Sequence, residues 1–217
     1  MDRSRIGIVV PALNEERSIG AVVELCHRYG TPIVVDDGST DRTAFVAREA
    51  GATVVSHPAN LGYDAALDSG FRQAADMGSE LVVTIDADGQ HNPELIGRFL
   101  ALLEGEADVV IGARNKRPRL AEHCFAALTR LLYGIRDPLC GLKGYRISVY
   151  RALGHFDSYG SIGTELALFA ARKGYRITQV PVVVRDRADA PRFGRTLRAN
   201  WKIFRAMFLF ARSVVTG

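Results

Sequence analysis

The chain has 217 residues, 47% of them hydrophobic, enough to bury one substantial core. No apolar run approaches the ~18 residues of a membrane span, and Cys26, Cys124 and Cys140 show neither metal-ligand nor disulfide spacing, as in a reducing cytoplasm. The net charge of +4 hides a division, because residues 1–113 carry 8 Lys and Arg against 18 Asp and Glu, whereas residues 114–217 carry 20 against 6. An acidic half suits a bound cation, and a basic half suits phosphates, an anionic membrane surface or simply a solvated face. Nothing in the basic half matches a nucleic-acid-binding motif, so no nucleic-acid partner is expected.

Residues 1–5 lead straight into a strand-like run, and no signal peptide is expected. Apolar runs and helical patterns then alternate. Strands are predicted over 6–10, 32–35, 53–55, 81–85 and 108–111, with helices over 15–29, 40–50, 63–77 and 93–103. Strand runs without polar alternation indicate burial on both faces, and alternation with helices indicates a mostly parallel sheet with crossover helices. The second half is less regular. Helices are predicted over 120–133, 162–173 and 197–215, and strands over 143–147 and 175–184, with Pro181 marking the last strand as an edge. The fold class is therefore α/β, in one Rossmann-type domain spanning 1–217.

Ligands of such sheets bind beyond the carboxyl ends of the strands. Those ends carry Pro11-Ala12-Leu13-Asn14-Glu15, Asp36-Asp37-Gly38-Ser39-Thr40-Asp41, Asp86-Ala87-Asp88-Gly89-Gln90 and Gly112-Ala113-Arg114, with Asn60-Leu61-Gly62 in the third unit. Taken singly, these are ordinary turn and cap residues. Asp86 and Asp88 carry the sharpest argument. Two neighbouring carboxylates repel unless a cation sits beside them, and Mg²⁺ or Mn²⁺ prefers oxygen ligands completed by substrate phosphates. Gln90 offers a further oxygen, and His91 a nitrogen of lower rank.

The segments VVPALNEERSIGAVV, IVVDDGSTDRTA, NLGYDAALDSGF, VVTIDADGQHNPELI and DVVIGAR, in that order, resemble family 2 glycosyltransferases with the GT-A fold. They are most similar to the dolichyl-phosphate mannose synthase and polyprenyl-phosphate glycosyltransferase branch. The resemblance is strong over 6–114 and weaker through DPLCGLKGYR and GYRITQVPVVV. It implies a metal-dependent inverting transfer of a sugar from a GDP-mannose or UDP-glucose type donor to an acceptor, with polyprenyl phosphate first. It implies a nucleotide- and metal-binding half over 1–113 and an acceptor-binding half over 114–217.

By this resemblance Pro11, Leu13, Glu15 and Asp37 surround the nucleotide, with Asp86, while Arg187 and Arg192 approach its diphosphate. Asp86, Asp88 and Gln90 hold Mg²⁺ or Mn²⁺, with Asp88 closest to the chemistry. Arg114, Arg130 and Arg146 are expected on the acceptor side. Glu165 and Asp137 are the candidate bases, although Glu165 could equally orient the sugar, pair with an arginine or be a surface residue. The chain departs from the pattern at Tyr63-Asp64, where relatives commonly have Lys-Gly, and at Cys140 and Leu142-Lys143, where the branch usually shows Ser and Phe-Arg. Those departures touch the acceptor and sugar more than the nucleotide.

The last segment, RTLRANWKIFRAMFLFARSVVTG, mixes Arg195, Arg198, Lys202, Arg205 and Arg212 with Trp201, Phe204, Phe208 and Phe210. It reads as an interfacial membrane helix or as a helix packed on the domain with snorkelling bases. The expected location is the cytoplasm, with peripheral contact at the inner membrane face. Two alternatives to a lipid-phosphate acceptor are kept: a small soluble acceptor such as a phosphorylated glycerate, and a non-catalytic sugar-nucleotide-binding module.

Overall fold

The computed structural model describes residues 2–89, 94–115, 119–183 and 196–216. After a short 3₁₀ turn at Arg3–Arg5, the first half runs β1 (Ile6–Ala12), α1 (Ile19–Cys26), β2 (Thr31–Asp36), α2 (Thr43–Glu49), β3 (Thr53–Ser56), α3 (Tyr63–Asp76), β4 (Leu81–Thr84), α4 (Glu94–Glu104) and β5 (Val109–Arg114). The second half runs α5 (Leu120–Tyr133), β6 (Lys143–Arg146), α6 (Ile147–Leu153), α7 (Glu165–Arg172), β7 (Ile177–Val182) and α8 (Thr196–Thr216). The seven strands form one sheet in the order β3-β2-β1-β4-β6-β5-β7. All pairs are parallel except those of β6, which runs antiparallel between β4 and β5. The expected mostly parallel α/β sheet is therefore what forms, and β6 ties the two halves into it. Pro181 lies in the edge strand β7, where a missing N–H disrupts no inner ladder.

The direction of β6 positions the site. In register, Lys143 lies opposite Thr84 and Arg146 opposite Leu81. Lys143 thus joins the edge where β1, β2, β4 and β5 end, and Arg146 falls at the other end of the sheet.

Alternate strand residues feed two cores. Ile8, Val10, Val34, Val83 and Val110 pack with Ile19, Val23, Ile96, Phe99 and Leu103 of α1 and α4 on one face. Val9, Ile33, Val82, Val109 and Tyr145 pack with Leu67, Phe71, Phe125, Leu166 and Phe210 on the other. Helix α3 lies unusually close to β1, because a Cβ on Gly70 would come within 2.3 Å of Val9 Cγ1. Phe71 fills the centre of this layer, edge-on to Tyr145 at 5.6 Å and 4.7 Å from the Phe156 ring.

Local geometry shortens several predicted helices. The helix expected from Glu15 begins at Ile19, because Asn14 takes a positive φ of 53° and Glu15 N–H donates to Thr43 Oγ1 at 2.7 Å. The helix expected from Ile162 begins at Glu165, because Ile162 adopts φ 60° in a turn. Helix α6 was not anticipated; it continues directly from β6 and stops at Gly154, φ 87°. Helix α8 packs on α5 through Ala199, Ile203, Ala206 and Phe210, spaced as one helical face, with Phe210 6.2 Å from the Phe125 ring. None of the described helices is long and apolar enough to cross a membrane.

Candidate active site

The loops after β1 and β2 are stitched together by side chains. Asn14 N–H donates to Ser39 Oγ and Thr40 N–H to Asn14 Oδ1, both at 2.8 Å, while Arg42 N–H donates to Glu16 Oε2 at 3.1 Å. Pro11, Leu13 and Glu15, in and just after β1, are all partly buried; Glu15 N–H joins the seam through Thr43 Oγ1, and Ser18 Oγ donates to Glu15 Oε2 at 3.0 Å. The turn residues Ser39, Thr40 and Thr43 thus bond across loops rather than only within their own.

Asp37 is buried one residue beyond β2. Its Oδ1 accepts from Leu61 N–H at 2.9 Å and lies 2.8 Å from His57 Nδ1, while Oδ2 accepts from Gly62 N–H at 2.9 Å. His57 Nε2 lies 2.9 Å from Ser69 Oγ. Asp37 therefore fastens the Asn60-Leu61-Gly62 loop to the second strand, and so sets where α3 begins.

The Asp86 carboxylate sits at the centre of the sheet edge. Ile85 N–H still bonds Val9 O, so the chain leaves β4 in register before turning through Asp86 and Asp88 to Gly89, φ 71°. The carboxylate rests on the backbone of Gly141, where a Cβ would lie 2.2 Å from Asp86 Oδ2. That backbone is fixed in turn, since Thr84 Oγ1 donates to Gly141 O at 2.6 Å and accepts from Lys143 N–H at 3.2 Å. Tyr63 Oη, from the first residue of α3, donates to Asp86 Oδ1 at 3.3 Å. Asp88 is partly buried on the same turn. Among the described residues no group of three or more His, Cys, Asp or Glu side chains converges as a metal cage. Asp86 on its Gly141 cradle, with Asp88 two residues further along the same turn, is a donor set that fits Mg²⁺ or Mn²⁺, which take one or two carboxylates and complete their shell with water and phosphate oxygens. Gln90 and His91 lie outside the described residues, as do Arg187 and Arg192.

At the end of β5, Arg114 meets Asp137. Its Nε donates to Oδ2 at 2.7 Å and its Nη2 to Oδ1 at 2.9 Å, and the Arg114 N–H adds a third bond at 3.0 Å. Nη2 also reaches Glu122 Oε2 at 3.2 Å, and Arg119 Nη1 holds the other Glu122 oxygen at 2.8 Å. Burial alone would disfavour the Arg114 charge, but these carboxylates raise its pKa further above the usual arginine value. Two cations and two buried carboxylates therefore neutralise one another.

Glu165, at the start of α7, accepts from Ser158 N–H at 2.6 Å and Ser158 Oγ at 2.8 Å, and lies 3.1 Å from His155 Nε2. It thus closes the loop before α7. Arg130 is exposed on α5, about 12 Å along the axis from Glu122 at 1.5 Å per residue, where with His123, Leu131 and Arg136 it lines an open groove of about 590 Å³. Arg146 is not brought to this edge. Antiparallel β6 carries it to the far end of the sheet, where it donates to Gly105 O at 3.0 Å and Ala107 O at 3.2 Å.

Two residues absent from the sequence-derived site belong to it by position. Tyr63 reaches Asp86, and Lys143 is buried at the same edge with its Nζ donating to Gly163 O at 2.9 Å. Burial pulls the Lys143 ammonium below the usual lysine range, while Cys140, Asp137 and Asp86 act in the opposite direction. Both positions were visible in the sequence only as departures from the family pattern.

Residues 7–160 match the family model described as glycosyl transferase family 2. A dolichyl-phosphate hexose transferase of Haloferax volcanii is 32% identical over 196 residues, covering 84% of this chain and 84% of that protein. A polyprenol monophosphomannose synthase of Mycolicibacterium smegmatis is 28% identical over 235 residues, covering 97% of this chain and 87% of the relative. Among solved structures, glucosyl-3-phosphoglycerate synthase from Mycobacterium tuberculosis, in complex with Mn²⁺ and uridine-diphosphate-glucose, superposes with a TM-score of 0.74 at 28% identity, over 94% of this chain and 77% of that one. With its sheet order and its Asp-x-Asp turn at the end of β4, the chain is a GT-A-like enzyme that belongs to glycosyltransferase family 2.

Proposed function

We propose that this glycosyltransferase moves a sugar from a nucleotide donor, with Mg²⁺ or Mn²⁺ at Asp86 and Asp88, to a polyprenyl phosphate. The observation that carries the acceptor class is the state of the two candidate bases. Asp137 is spent on Arg114, and Glu165 on Ser158 with His155 beside it. A hydroxyl acceptor needs a base to take its proton, whereas a phosphate monoester is already largely ionised at neutral pH. A site whose carboxylates are committed elsewhere therefore suits a phosphate nucleophile. The names of the Haloferax and Mycolicibacterium relatives support the same class.

A cation held by Asp86 and Asp88 would neutralise the charge of the donor diphosphate. The chain's own residues do the rest. Pro11, Leu13 and Glu15, with the Asp37-anchored loop, form the nucleotide side, and Arg187 and Arg192 complete it. Gln90 joins the cation's ligands. Arg114, held flat by Asp137 and Glu122, presents Nη1, which makes no hydrogen bond among the described residues, to the acceptor phosphate. Arg130 extends that basic side along α5.

Helix α8 supports work at a membrane face. Opposite its buried residues, Trp201 is 65% and Phe208 66% exposed, with Phe204, Lys202, Arg205 and Arg212 also exposed. Aromatic and basic side chains on one face suit an anionic lipid surface. A second reading, transfer to a small soluble acceptor, is favoured by the likeness to glucosyl-3-phosphoglycerate synthase.

The test is transfer of radiolabelled sugar from UDP- and GDP-sugars with Mn²⁺, offered a polyprenyl phosphate or 3-phosphoglycerate. Label entering the organic phase supports the lipid acceptor. Label confined to an aqueous sugar–glycerate product establishes the soluble one. No transfer and no donor hydrolysis with any nucleotide points to a binding module.

A further inference from the structure

Three of the residues that depart from the family pattern, Tyr63, Asp64 and Lys143, meet on one turn. Asp64 accepts from Ile162 N–H at 3.2 Å and Gly163 N–H at 2.5 Å, while Lys143 Nζ donates to Gly163 O. A partly buried carboxylate and a buried ammonium thus hold the two faces of the same peptide pair. The turn they hold is not one the chain adopts freely, since Ile162 is β-branched and sits at φ 60°. Ser161 Oγ accepts from Thr164 N–H and Glu165 N–H at 3.0 and 2.9 Å and closes the turn on its other side.

The turn has one prominent neighbour. A Cβ on Gly163 would lie 3.1 Å from Tyr63 Cε1, a tight contact, and the φ of 70° there also favours glycine, so the backbone lies close against that ring. Packed in this way, the ring aims Tyr63 Oη at Asp86 Oδ1. A phenol is protonated at neutral pH, so Tyr63 Oη is a donor to the carboxylate. The opposite side of the carboxylate rests on Gly141. The chemical consequence follows from what stands at position 63. A lysine there would set a full positive charge beside Asp86, in competition with a divalent cation. A phenol gives one hydrogen bond, which orients the carboxylate and leaves its charge for the metal.

We infer that Tyr63 is a positioning residue for the divalent cation, orienting Asp86, and that Asp64 and Lys143 act through the Ser161–Thr164 turn to hold the Tyr63 ring in place. This rests on the reading of Asp86 as a cation ligand, and the experiment separates the two. Mn²⁺ is titrated into the full chain and followed by its electron paramagnetic resonance signal, with UDP in one series and GDP in another, without turnover. The wild type is expected to bind Mn²⁺ in one series. Tyr63→Phe keeps the ring and its packing but removes the hydroxyl, and is expected to weaken Mn²⁺ binding by about 10-fold or more, the usual size of an outer-shell loss, with an unchanged melting temperature. Asp64→Asn and Lys143→Met are each expected to weaken Mn²⁺ binding in the wild-type background and to add nothing in the Tyr63→Phe background. Wild-type Mn²⁺ affinity in Tyr63→Phe overturns the inference, as does full additivity of the other two with it. A wild type that binds no Mn²⁺ in either series overturns the cation reading itself, and the inference with it.

Discussion

Arg114→Met removes a guanidinium that two buried carboxylates share. Asp137, 2% exposed, loses the bonds from Nε and Nη2 and, among the described residues, keeps only the backbone N–H at 3.0 Å, while Glu122 retains Arg119. Two charge-assisted hydrogen bonds at roughly 1.5–3 kcal/mol each give a loss of about 3–6 kcal/mol. Removing one partner of a buried pair costs roughly 3–5 kcal/mol by an independent route. A loss of about 4 kcal/mol is a large share of a domain stability of roughly 5–15 kcal/mol. Urea unfolding followed by fluorescence is the assay. With a slope of about 2.5 kcal/mol/M, the midpoint should fall by about 1.5 M. Asp137→Asn placed on Arg114→Met should recover part of the loss, because it removes the stranded charge. A midpoint shift below about 0.4 M, or no recovery in the double variant, would refute the view that Arg114 and Asp137 stabilise one another. The result also governs any acceptor assay on Arg114, because activity lost with the fold says nothing about phosphate.

Gly141→Ala inserts a Cβ 2.2 Å from Asp86 Oδ2 and must displace that short side chain, so Mn²⁺ affinity should fall about 10-fold or more with a small change in melting temperature; unchanged Mn²⁺ binding would separate Asp86 from the cation. Asp64 is raised to about 6 by burial, with the Asp157 charge adding, against its two backbone N–H bonds. A raised folded pKa means that the native state holds this proton more tightly than the unfolded chain. Its contribution is fully present below about pH 4 and lost as pH rises through 6. The stability of wild type minus that of Asp64→Asn, measured by urea unfolding, should therefore fall between pH 4 and 7, and a flat difference would contradict the burial argument. Glu165→Gln should lower kcat without removing a limb from the pH–rate profile, since Glu165 is spent on Ser158 and His155. Loss of an ionisation from that profile would restore it as a base.

Periodicity alone determined most of the architecture. Strands buried on both faces and alternating with amphipathic helices admit little besides a parallel α/β sheet, and their carboxyl ends then had to gather Glu15, Asp37, Asp86 and Arg114 on one edge. Even the edge position of Pro181 follows from its missing N–H. What periodicity could not determine is the direction of a four-residue strand. Lys143-Gly144-Tyr145-Arg146 reads the same either way, and only its antiparallel pairing with β4 sends Lys143 to the site and Arg146 to the far end. Long-range partners were equally illegible. Nothing near position 63 announces a hydrogen bond to Asp86, and nothing near Gly141 shows that a carboxylate lies where its Cβ would be. The same holds for Asp137 and Glu165, whose chemistry as carboxylates was evident but whose availability depends on Arg114, Ser158 and His155. Local propensity and spacing act over a few residues and place the elements. Whether a charged group is paired, buried or open to substrate depends on neighbours far away in sequence, and only the packed chain brings them together.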